Sequence, residues 1–146
     1  LAALVPRLRV PFYAALSYRG PMLWTPEDPH DAAVAAAFDR HQRGDKGLGP
    51  ALGPAAPERS ASLLEAAGFA VETAESIWSL GPEQAPLQRE LTGGIAAAAA
   101  EAGETRAPAW GRRRREAADR TNCLVGHLDL LALPPAHAHG APRAVR

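Results

Sequence analysis

Residues 41–54 read HQRGDKGLGPALGP, and the four glycines and two prolines among them rule out a continuous helix or strand. The chain must therefore loop there. A helical pattern leads into the loop. Asp28 is a good N-cap and Pro29 a good first helical residue. Val34, Ala37, Phe38 and His41 then share one helical face, and Gly44 is placed to end the helix. A strand-like run precedes this helix, and a helix-plus-strand pattern follows the loop. That alternation predicts an α/β scaffold carrying a functional loop.

Three runs read as strands. Residues 10–18 (VPFYAALSY) are almost continuously apolar, as expected of a strand buried on both faces, with Gly20-Pro21 as the following turn. Residues 69–77 (FAVETAESI) alternate at first, which predicts a strand with one exposed face. Residues 124–133 (LVGHLDLLAL) are strongly apolar and closed by Pro134-Pro135. Helices are predicted at 58–67, stopped by Gly68, at 87–102 and at 110–119. Gly93-Gly94 weakens the middle of the 87–102 helix by roughly 1 kcal/mol per glycine relative to alanine. Residues 1–5 read as a helix end or connecting turn, and residues 136–146 as a frayed tail behind a domain spanning 1–135.

Composition excludes several classes. The chain has 146 residues, enough for one domain, and its formal net charge is zero, so no global field draws in nucleic acid. The single cysteine, Cys123, excludes an internal disulfide and fits a reducing, cytoplasmic setting. No apolar run approaches membrane-spanning length, and no signal peptide is visible.

The densest polar cluster is His41, Arg43, Asp45 and Lys46, beside glycines that allow close backbone approach to a ligand. The competing reading is a solvated helix C-terminus, where cations are favoured. Tyr18 and Trp24 bracket the turn expected after the first strand, where ligands of open α/β sheets bind; either is also an ordinary packing aromatic. The four arginines at 112–115 point round all sides of a helix and read as a solvated face. His127 and Asp129 alternate on the last strand and share a face, but no nucleophile motif accompanies them. His41 and Asp45, like His137 and His139, lack the further ligands of a metal site, so no metal is expected.

Taken together, LSYRGPMLWTPEDPHDAAVAAAFDRHQRGDKGLGPALGP, LLEAAGFAVETAESIWSLGPEQAPLQREL and VGHLDLLALP resemble the C-terminal half of a bacterial class I S-adenosylmethionine-dependent methyltransferase. The resemblance implies a partial Rossmann-like fold holding strands five to seven, with a reversed terminal hairpin. The Gly-rich turn after strand one and the acidic residue ending strand two, which bind the cofactor in that family, have no counterpart here. The cofactor-binding front half is therefore expected to be missing. The complete parent would use S-adenosylmethionine on a small-molecule acceptor, and this chain alone is expected to bind none and to be inactive. Within it, His41 is the candidate general base, and Tyr18, Trp24, Arg43, Asp45 and Lys46 are candidate substrate-binding residues. The implied strand order is first, third, second, with the last strand antiparallel between the others. The outer edge of the first strand is then unpaired, and the isolated chain is expected to be insoluble or oligomeric. The alternatives are a non-catalytic α/β interaction module and, on the arginine run, an RNA-binding module.

Overall fold

The computed structural model describes Arg7 and residues 9–135. The expectations for residues 1–5 and 136–146 lie outside the described residues. Four strands form one open antiparallel sheet: β1 (Phe12–Thr25), β2 (Ala70–Glu75), β3 (Trp78–Leu80) and β4 (Asn122–Leu133). The helices are α1 (Asp31–Gln42), α2 (Ala56–Ala66), α3 (Ala85–Glu101) and α4 (Ala107–Glu116). The sheet order is β1-β4-β2, and β3 continues beside β4 where β2 stops. Every pairing is antiparallel, so β1 and β2 run parallel with β4 between them. This is the order expected from the sequence. Among the described residues no strand pairs the outer edge of β1.

The side-chain alternation of β4 separates two cores. Cys123 and Val125 face one side, where Met22 and Trp24 of β1 pack with Val34 and Ala37 of α1, Ile95 and Ala99 of α3, and Trp110 of α4. Leu130 and Ala132 face the other side and pack with Leu64 of α2, Phe69 and Phe12. Helices thus cover opposite faces at opposite ends of the sheet. Tyr13 and Leu133 at one end, and Leu23 and Leu124 at the other, are left exposed.

Several local expectations are corrected. Residues 10–18 are not buried on both faces: Val10, Tyr13 and Leu16 are exposed, because among the described residues no helix covers that end of the first face and no strand covers the edge. Gly20-Pro21 is not a turn. β1 shifts register between Tyr18 and Met22, then resumes pairing with β4 through Thr25. Gly20 at φ 65° bends the strand inward, and its carbonyl takes the space a side chain at Gly126 would fill. The helix start moves from Pro29 to Asp31, because Asp28 and Asp31 brace the turn reciprocally. Asp28 Oδ1 accepts from the His30 N–H at 2.9 Å, and Asp31 Oδ2 accepts from the Asp28 N–H at 2.8 Å. The junction after α2 is as expected: Gly68 has φ 85°, and the Phe69 N–H donates to Leu64 O at 3.0 Å. The strand expected over 69–77 stops at Glu75, and β3 continues the sheet after a break.

Candidate functional site

α1 ends where its last turn meets α3, and His41 is fixed there. Its Nε2 lies 2.9 Å from Glu101 Oε2 on the last turn of α3. Lys46 Nζ lies 3.3 Å from Nδ1 and 3.2 Å from Nε2 of the same ring. The loop between them is held by Asp45, whose Oδ1 accepts from the N–H groups of Gly47 at 2.7 Å and Gly49 at 2.9 Å. Asp45 therefore shapes the loop by binding its backbone. Arg43 packs against Gly53, where an added Cβ would lie 2.7 Å from Arg43 Cγ.

Tyr18 belongs to a neighbouring cluster. Its hydroxyl donates to Asp39 Oδ1 at 2.9 Å, and its ring meets Phe38 edge-on with centroids 5.4 Å apart. Burial foremost, then the Asp39 hydrogen bond, raises the Tyr18 pKa, while the nearby Arg43 charge opposes the shift. The ring also faces His127, which sits 5.1 Å from the Trp78 ring. His127 is buried, its Nδ1 has no hydrogen-bond partner among the described residues, and burial lowers its pKa. A neutral imidazole in an aromatic cage is the consistent state.

The structure thus divides the candidate residues. His41 and Lys46 meet, Asp45 supports their loop, and Tyr18 reaches the same helix through Asp39, two residues before His41. Tyr18 is not at a strand end, as expected, because β1 continues to Thr25. Trp24 stands apart. It lies within β1, 3 % exposed, edge-on to Trp110 with centroids 5.1 Å apart.

The arginine run is also corrected. Arg114 is buried, bound to Asp31 and to Pro26 O, with its guanidinium 5.5 Å from the Trp24 ring centroid. Arg113 makes a bidentate pair with Asp28 at 2.8 and 2.9 Å. Arg112, Arg113 and Arg115 are exposed, as expected of a solvated face, and Arg114 alone of the four is buried.

Asp129 is a second polar centre. It accepts from Ser76 Oγ at 2.6 Å, Tyr13 Oη at 2.7 Å and the Leu16 N–H at 2.8 Å. The last bond holds Leu16 at φ 53° in the first register shift of β1. Sequence reading placed Asp129 on the His127 face but could not foresee partners more than fifty residues away.

These carboxylates give a prediction about acid. The hydrogen bond from Arg113 lowers the Asp28 pKa, that from Ser76 leads in lowering Asp129, and Arg106 takes Glu104 down to about 2. A carboxyl depressed in the folded state contributes stability above its unfolded pKa of about 4 and loses it as pH falls through the folded value. Urea midpoints are expected to fall somewhat below about pH 6.5, where the unfolded chain protonates His127 and the folded chain does not, and to drop further between about pH 4 and 2. An unchanged midpoint at the acid end contradicts these contacts.

The glycine loop does not fit a nucleotide-type cofactor. It follows helix α1, not a strand, and Asp45 already occupies the N–H groups of Gly47 and Gly49. Among the described residues no group of three metal-ligating side chains occurs, and no helix is long and apolar enough to cross a membrane. No protein-family model matches this chain, and neither a curated protein nor a solved structure does.

Proposed function

We propose that the chain is the substrate-side half of a class I S-adenosylmethionine-dependent methyltransferase domain, cytoplasmic and acting on a small-molecule acceptor. The observation that carries this reading is the sheet order: two parallel strands separated by an antiparallel last strand, beside an edge of β1 that pairs with no strand among the described residues. In the proposed domain that edge receives the preceding strand, and the cofactor cradle belongs to the other half. The contribution of the present residues is positioning and proton removal. His41, with Glu101 on one ring nitrogen, is the general base for an acceptor O–H or N–H. Lys46 and Tyr18 orient the acceptor from either side of α1. The buried Cys123 thiol, pushed up to about 11, is unreactive and takes no part.

Calorimetry on the 146-residue chain is expected to show no S-adenosylmethionine binding, and adding an upstream half with a strand–glycine turn–helix unit is expected to restore it. In the restored protein, His41→Ala is expected to lower turnover by about 10²–10⁴-fold while cofactor affinity changes little. Saturable, stoichiometric cofactor binding by the chain alone overturns the reading. The unpaired β1 edge also supports a second one, a non-catalytic module that recruits a partner strand. A cooperative, monomeric fold with no response to the upstream half favours that alternative.

A further inference from the structure

Helices α3 and α4 approach closely: a Cβ on Gly111 would lie 2.6 Å from Ala96 Cβ. This brings Arg89 of α3 beside Arg112 and Arg115, which are one turn apart on α4. Arg89 Nε donates to Arg115 O at 3.2 Å, which anchors its guanidinium and leaves the terminal nitrogens available. The three arginines line a hollow of about 370 Å³ with one acid, Glu116. Arg19, Arg106, Arg113, Arg114 and Arg120 are each ion-paired with a carboxylate, whereas these three have no such pair among the described residues. A helix C-terminus favours a cation in its last turn, which accounts for Arg115 alone. Arg112 lies in the middle of α4 and Arg89 in the first half of α3.

We propose that this hollow binds the phosphoryl groups of a compact ligand, a diphosphate or a phosphate ester. Guanidinium forks match phosphate oxygens in pairs, and an anion would relieve the repulsion between three converging cations. No aromatic side chain lines the hollow, so it lacks the stacking surface that single-stranded nucleic acid requires. The proposal stands independently of the methyltransferase reading.

The test is a titration of the whole chain with inorganic pyrophosphate at constant ionic strength, followed by arginine Nε–H resonances and by the melting midpoint. Saturation with a Kd of about 1 mM or below is expected. Arg112→Gln is expected to weaken binding roughly five- to tenfold, and Arg89→Gln by at least as much. Without ligand, the Arg112→Gln midpoint should stay unchanged or rise, since a like charge is removed; a purely structural arginine would lower it. Absence of saturation at about 10 mM, or equal binding by the double variant, overturns the proposal. So does tighter binding of a short RNA with a steep salt dependence, which would mark a nucleic-acid surface instead.

Discussion

Trp110→Ala is expected to destabilise the chain by about 3–5 kcal/mol, a large part of the roughly 5–15 kcal/mol available to a domain. Trp110 is fully buried where α1, α4 and β1 converge. Its ring is edge-on to Trp24, and its indole N–H donates to Asp31 Oδ1 at 2.7 Å. Alanine removes the ring and leaves a cavity that the surrounding helices and strand cannot close. It also removes one of the donors that satisfy the first carboxylate of α1, leaving Arg114 and the Asp28 N–H to hold it. The damage should extend to function, because Asp31 begins the helix that carries Asp39 and His41. Trp110→Phe separates the terms: the ring contact survives, the hydrogen bond does not, and a cost of about 1–2 kcal/mol is expected. Urea denaturation of both variants is the measurement. A loss below about 1 kcal/mol for the alanine variant would mean that the three elements do not converge on this ring.

What the sequence made legible follows from the range of each signal. Helix existence, the Gly68 stop and the strand order rest on local periodicity and on a family topology, and all three hold in the structure. The end of β1 was misjudged because Gly20-Pro21 looks the same in a turn and in a bulge; the glycine that decides between them, Gly126, lies on another strand. The arginine run reads as one solvated face, since successive residues carry no record of Asp28 just before α1 and Asp31 at its start. In the candidate site, His41 and Lys46 are neighbours in the chain and their contact was foreseeable. Glu101 is sixty positions from His41 and carried no motif. Sequence alone puts Trp24 after the strand and so on the ligand side; because the strand includes it, alternation turns it into the core.

Gly126→Ala is expected to be the most disruptive methyl group that can be added to the sheet. A Cβ there would sit against the Gly20 carbonyl, 2.7 Å from its carbon and 3.1 Å from Pro21 N. These are backbone atoms on a paired strand, so no side-chain rotation relieves the clash, and β1 must move. Overpacking of this kind costs about 1–3 kcal/mol or more, which for a chain of this size is roughly 3–10 °C in melting midpoint. The displaced segment adjoins Tyr18, whose partner in the register is His127, the residue after Gly126. Near-ultraviolet dichroism of the tyrosines should therefore change together with the midpoint. Gly93→Ala provides the matched control. Gly93 lies inside α3 with nothing within 4 Å of an added Cβ, and alanine there is expected to stabilise by about 1 kcal/mol. The same chemical change should thus have opposite signs at the two positions. If Gly126→Ala melts no lower than the parent while Gly93→Ala melts higher, β1 does not fold inward at Gly20. The placement of Tyr18 against α1 would then be lost with it.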